Sequence, residues 1–480
     1  NTQGTPLDIP DVFSTYLYKG TGTSANSTQT VTNGIDLGGE GGLVWIKDRY
    51  TKSHFLFDTE RGAWNDLNTD NTDAQGTVQA DGLSSFNSNG FTLTGDNNVN
   101  QNYSNPEGNY ASWSFLKAAK FFDVQTWTGS GVAQTINHNL GSKPGFYVVK
   151  QTSGTGGGWY GYHAGLDSTY TNPSGIRLDT TSAAFEANST LWNLTFPTST
   201  TFTVGTSTGV NASGETYVAY LFAHNDGDGG FGPSGDQDII KCGSYTGNGS
   251  SSGVEVDLGF EPQWILVKSA TQSSTNWTIT DVMRGWTVGN GQNYIYPHTS
   301  AAEVSTTTNL IDPLPNGFKV FGTGSNFNTS GQTYIYMAIR RGPLAPPESG
   351  TEVFAMANLD GTAPTFASSM DVVDMAFHRS KTATSQNFEV HDRLRQGSPT
   401  KGHLALNTTD AEATSGNIIN VSMDYMYGYA DEGSSNDWQS WMWKRAPSFF
   451  DSVAFFGSGV AGRTVSHNLG VAPEMMWVKR

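Results

Sequence analysis

The sequence predicts an all-β protein, a tandem array of antiparallel β-sandwich modules (jelly-roll or lectin-like) of about 110 residues each. Three observations predict it. Glycine is abundant, 57 of 480 residues, and Phe, Trp and Tyr together reach 12%, a mixture that suits short strands, tight turns and aromatic cores. Apolar and polar residues alternate in "HFLFD" (54–58), "NWTIT" (276–280) and "NFEVHD" (387–392), the period of a strand rather than a helix. The same landmarks also return along the chain.

Taken in order, an aromatic turn opens each copy: "YKGTG" at 18, "WTGSG" at 127, "YTGNG" at 245 and "FGSG" at 456. A strand then ends in a Leu-Gly turn, and an apolar run closes on Lys. This element reads "GIDLGGEGGLVWIK" (34–47), "INHNLGSKPGFYVVK" (136–150), "VDLGFEPQWILVK" (256–268) and "VSHNLGVAPEMMWVK" (465–479). Glycine supplies the positive-φ turn there, and Pro is expected to mark an edge strand. A third landmark closes on Gly95, Gly205, Gly322 and, as "MDYMYG" (423–428), on Gly428. Aromatic strands follow: "NYASWSF", "TYVAYLF", "TYIYMAI" and "DWQSWMW". The expected organisation is a lead-in at 1–11, modules at 12–120, 121–236, 237–348 and a divergent 349–447, and the start of a fifth at 448–480. Each module is expected to bury its own core, with Trp45, Trp113, Trp264 and Trp441 inside. Trp45 is matched to Trp264, and Tyr110 to Tyr334. Residues 449–480 carry only the opening of a module, so Met475, Met476 and Trp477 are expected to lie exposed and the natural chain to continue past Arg480.

A net charge of −17 argues against nucleic-acid binding, which needs a clustered basic face, and against docking on anionic membranes. The single Cys242 permits no intrachain disulfide. The longest apolar runs fall well short of the roughly 18 residues that a membrane span needs.

The order "YTGNG…VDLGFEPQWILVKS…NWTITDVMRGW…NGFKVFG…SGQTYIYMAIRRGP", with "GGLVWIKDRYTKSHFLFDTERGAWNDL" (41–67), resembles a repeat domain of otherwise unknown function. That domain is found in virion proteins of tailed bacteriophages, notably those of marine and cyanobacterial hosts. The resemblance implies a non-enzymatic structural component, a tail fibre or surface-projecting decoration. It would be assembled in the bacterial cytoplasm and displayed on the virion surface. Its partners would be other virion proteins, further copies of itself (a trimer favoured) and a host-surface glycan. A carbohydrate-binding adhesin is the second reading, and a glycan depolymerase the last.

Four groups of residues compete for chemistry. His138 sits where another copy has His467 and two others have Asp36 and Asp257. A slot exchanged between His and Asp at a strand end is expected to cap a turn. An Asp-x-x-Arg element recurs as Asp58/Arg61, Asp281/Arg284 and Asp392/Arg395, and "WYGYHAGL" (159–166) replaces it in the second module. A glycosidase needs two carboxylates across a groove. A carboxylate beside its own cation is a poor acid, so structural ion pairs are expected and no catalytic residue is assigned. Asp226, Asp228, Asp236 and Asp238 crowd a glycine loop whose oxygen chemistry suits Ca²⁺; the loop lacks the EF-hand pattern, and a solvated linker is the competing reading. Trp159, Tyr160 and Tyr162 could stack on a sugar ring, yet they align with "HFLFD", which favours a core role. No other cofactor is called for.

Overall fold

The computed structural model describes residues 6–77, 81–95, 97–102, 109–289, 291–360, 364–383, 386–395, 402–413, 426–429 and 437–479. Met423, Asp424 and Tyr425 of the fourth glycine landmark lie outside them. Strands make up 39% of the chain and helix 4%; among the described residues the α-helices are single turns at Ile9–Val12, Ser189–Trp192 and Thr208–Asn211. Four main sheets share one spatial order, in which the opening strand pairs with the closing strand of its segment. In the first, Phe13–Lys19 pairs with Asn109–Leu116, which pairs with Gly42–Asp48, which pairs with His54–Asp58. The second begins Phe122–Thr128, Thr216–Ala223, Pro144–Gln151, Tyr160–His163, and adds two further strands. The third runs Ile240–Thr246, Thr333–Arg340, Pro262–Ser269, Thr278–Asp281. The fourth runs Phe354–Asn358, Trp438–Trp443, Met375–Ser380, Glu389–Asp392, Leu404–Ala405. Every strand pair in these sheets is antiparallel, and a smaller sheet accompanies each, giving an all-β sandwich architecture.

The landmarks have local causes. The opening aromatic stacks on the first aromatic of the closing strand: Tyr18 on Tyr110 at 5.0 Å, Trp127 on Tyr217 at 5.5 Å, Tyr245 on Tyr334 at 5.1 Å. Two residues on, Gly20, Gly129 and Gly247 pass so close to the loop before that strand that a Cβ would lie 2.2, 2.1 and 2.4 Å from the carbonyl oxygens of Gln101, Ala212 and Thr329. Only glycine fits. Pro144 and Pro262 correct an expectation. They begin interior strands, not edge strands, and the ladder shifts register just after each, which relieves the missing N–H.

The run that closes on Lys buries its ammonium. Lys47 Nζ donates to the carbonyls of Asp48 and Lys52, Lys150 Nζ to Gly157, and Lys268 Nζ to Ser269 and to Thr275 Oγ1. Burial lowers each of the three to about 8. These lysines also set the true register. Counted back from them, Trp45 corresponds to Leu266, and Trp264 to Leu43. The pairing partners agree, Leu43 facing Phe115 and Trp264 facing Ile339 at the end of the closing strand. The Trp45–Trp264 equivalence is therefore two residues out, while Tyr110 and Tyr334 do correspond. Trp45, Trp113 and Trp264 are buried, but Trp441 is only half-buried. The inward face of its strand carries Trp438, Ser440 and Met442.

The expectation of one private core per segment fails for the first three. A single continuous cluster of buried side chains runs from Ile9 through Phe115, Phe222 and Trp264 to Ile339, and takes in Met426 of segment four at its edge. At its centre the Phe115 ring lies 5.1 Å from Phe13, 5.4 Å from Phe222 and 6.2 Å from Trp264. The third segment keeps a second cluster around Phe318 and Trp286, and the fourth has a small one around Phe366 and Met442. The start and end of the shared unit meet, because the Asp8 carboxylate accepts from Leu344 N and Ala345 N at 2.9 Å.

Residues 449–479 form no strand, and Met475, Met476 and Trp477 are exposed. Their beginning nevertheless repeats the joint between the first two segments. Lys120 and Ser448 share a left-handed backbone (φ 63° and 61°), and Asn139 N and Asn468 N donate to Asp123 and Asp451 at 2.7 Å.

Candidate functional site

His138 is buried at the end of its strand, and its Nδ1 accepts from Leu140 N at 3.3 Å. His467 does the same for Leu469 N at 3.3 Å, Asp257 for Gly259 N and Asp36 for Gly39 N, both at 2.8 Å. Four side chains of two chemistries thus cap one turn. Burial lowers the pKa of His138, opposed by Asp123; the lowering favours the neutral ring, whose Nδ1 can accept.

The Asp-x-x-Arg turns lie between segments. Asp58 Oδ2 accepts from Arg61 Nε at 2.5 Å and from the hydroxyl of Tyr220, on the closing strand of segment two, at 2.8 Å. Asp281 Oδ2 accepts from Arg284 Nε at 2.7 Å and from the Trp113 indole, on the closing strand of segment one, at 3.1 Å. The Arg284 guanidinium also stands over the Trp113 ring and reaches Glu303, which binds Arg49 of segment one at 2.6 Å. In segment two, His163 takes the Asp position, and its Nε2 meets the Tyr336 carbonyl, on the closing strand of segment three, at 3.1 Å. Burial lowers His163 to about 3, so it is neutral there and Nε2–H donates. The three contacts close a cycle: one receives two, two receives three, three receives one.

The residue that enters the strand before each turn adds a second cycle in the opposite sense. Trp159 Nε1 donates to Asn68 O at 2.9 Å, Trp277 Nε1 to Arg177 O at 2.8 Å, and His54 Nε2 meets Tyr296 O at 3.2 Å. Trp159 and Tyr162 are fully buried, so neither offers a face to a sugar; Tyr160 is half-buried beneath the Arg177 guanidinium, 4.6 Å away. Trp159 and Tyr162 thus pack in the interior, the core role that their alignment with "HFLFD" favours. Asp392/Arg395 is a pair within segment four.

The acidic loop is organised by its own backbone. Asp238 accepts from Gly227 N and Gly229 N at 2.8 and 3.0 Å, Asp228 from Asp226 N at 3.2 Å, and Asp236 from Gln237 Nε2 at 2.8 Å. Among the described residues, no three ligating groups gather there.

Sequence reasoning missed three things. Between segments three and four, Glu261 binds Arg341 (2.8 Å) and Arg445 (2.7 Å), while Asp374 binds Arg341 (2.8 Å) and accepts from Arg445 N. Burial alone would raise the Asp374 pKa, but Arg341, Arg445 and Arg393 together hold it below the usual carboxylate value. Second, "GTSTG" (205–209) has the spacing of a hydrolase nucleophile elbow, yet Ser207 caps a one-turn helix, its hydroxyl accepting from Gly209 N. Third, His378, Glu389 and His391 converge inside segment four. Their signal was present in "NFEVHD", where Glu and His alternate on one strand face.

A domain of unknown function, DUF7483, matches residues 8–343. The chain belongs to this family. The DUF7483 span begins at the Asp8 clasp and stops just short of Leu344, so it coincides with the three segments that share a core. No curated protein and no solved structure matches the chain.

Proposed function

We propose that this DUF7483 protein is a non-enzymatic structural component of a tailed-phage virion, a tail fibre or a decoration projecting from the particle. The phage assignment rests on the sequence resemblance; the structural role rests on how the polar side chains are used. The observation that carries it is the cycle of buried contacts Tyr220–Asp58/Arg61, Tyr336–His163 and Trp113–Asp281/Arg284. Carboxylates, guanidiniums and imidazoles that a catalyst would aim at substrate are here enclosed between segments, where they fix one segment on the next. We take the four segments as copies of one ancestral unit, three fused into a rigid block and the fourth appended. The block associates with other virion proteins and with further copies of the chain, and a host glycan is the partner of an exposed face.

Immunogold labelling of purified particles with antibody to the recombinant chain, combined with mass spectrometry of the particle, tests this. Labelling at tail or capsid exterior is expected. Particles lacking the chain overturn the virion assignment, and reducing-sugar release from host polysaccharide overturns the non-enzymatic one.

A further inference from the structure

We propose that segment four holds a divalent transition-metal ion of the zinc class on His378, Glu389 and His391. His378 lies on the strand Met375–Ser380, directly opposite Glu389 on Glu389–Asp392, and His391 follows Glu389 by two residues on the same face. All three side chains are buried against the interior of the sandwich. Glu389 Oε2 lies 3.4 Å from His378 Nε2 and 3.9 Å from His391 Nε2, and the three ligand atoms fall within 4.8 Å of one another. A tetrahedral ion with bonds near 2.1 Å sets its ligand atoms about 3.4 Å apart. Closing the triad around one therefore takes side-chain shifts of about an ångström.

Comparison with the other segments supports an acquired site. The pair His378/Glu389 occupies the position of Ile46/Phe55, Val149/Tyr160 and Val267/Thr278, and His391 that of Phe57, Tyr162 and Thr280. Three ligating residues have thus replaced apolar, aromatic or hydroxyl side chains at three adjoining inward positions. Burying a carboxylate is costly without a compensating charge, and a divalent cation supplies one. Two imidazoles and a carboxylate suit zinc, nickel, cobalt or copper better than calcium or magnesium. His403, whose ring centre is 5.7 Å from that of His391, is placed to complete or flank the shell. The site lies outside the DUF7483 span, and the inference does not depend on the proposed virion role.

The test uses the full 480-residue chain, stripped with chelator, incubated with excess Zn²⁺, desalted and assayed for metal content. A parallel sample takes Co²⁺ and is read by its visible ligand-field bands. About one zinc per chain and a tetrahedral-type cobalt spectrum are expected, together with a chelator-sensitive rise in the melting temperature of segment four. His378→Ile with His391→Phe, which installs the side chains of segment one, is expected to abolish uptake, and near-isosteric Glu389→Gln to weaken it at least tenfold while leaving circular dichroism unchanged. A folded wild-type chain that takes up neither ion, or a double variant that still binds one equivalent, overturns the site.

Discussion

The first three segments and the fourth share a strand order but are stabilised by different means. The first three merge their cores around Phe115, Phe222 and Trp264. The fourth keeps a small core of its own, lends Met426 and the flank of Val372 to the shared cluster, and is joined to the block mainly through the buried charges of Glu261, Arg341, Asp374 and Arg445. The same topology can therefore be welded or tethered, depending on whether aromatics or ions face the neighbour. Apolar contact is roughly additive in area and indifferent to partner; an ion-pair joint is specific and fails when one member is removed.

The hardest test of this contrast is Trp264→Ala. It should cost about 3–5 kcal/mol and lower one transition that contains segments one, two and three together, leaving the fourth's calorimetric transition in place. Separate melting of the three would break the shared-core picture. Arg445→Met leaves Glu261 and Asp374 under-compensated at a local cost of about 3–5 kcal/mol. The expected outcome is faster proteolysis in the linker 341–350 with the block's own transition unmoved.

Asp312, in the private core of segment three, sharpens the comparison through pH. Burial pushes its carboxyl up to about 7, above the 3.8 of an exposed Asp, so the folded state holds a proton that the unfolded state releases. Stability from this group is therefore lost as pH rises from about 4 to 7, by on the order of 3–4 kcal/mol. Asp312→Asn should flatten that slope in the block's transition and leave the fourth segment's unchanged; an unaltered profile would rule the group out. Asp281→Asn, which weakens the Arg284 and Trp113 contacts, should cost about 1–3 kcal/mol, with Asp392→Asn affecting only the fourth segment. The smallest effect belongs to the exposed Asp257→His. Because His138 and His467 cap the same turn, its unfolding free energy should change by less than about 0.5 kcal/mol, and a larger loss would mean the carboxylate does more than cap.

What the sequence made legible follows from range. The aromatic-x-Gly turn, the buried lysine and the Asp-x-x-Arg pair answer to contacts inside one segment, so they return in the same order along the chain and are read by eye. The partners across segments carry no such mark. Tyr220 and Trp159 look like ordinary core aromatics until the carboxylate or carbonyl they donate to is brought in from a distant strand. Trp45 and Trp264 misled because matching residue types suggested a register that the lysines and strand pairing overrule. The His–Glu–His triad needed a cross-strand register that no single strand displays.

The clasp between Asp8 and residues 344–345 also governs how the molecule is made. Contacts separated by more than 330 residues are among the last that the three-segment block can form as the chain is made, and long-range closure is slow. At synthesis rates of about 5–20 residues per second, roughly 10–45 seconds separate the emergence of Leu116 from that of Ala345. Through that interval Phe13, Phe115 and Trp113 have no third segment to cover them. A chaperone that binds exposed aromatics has its longest opportunity then, and a ribosome stalled before residue 344 would hold an open block with its adhesive edge towards solvent.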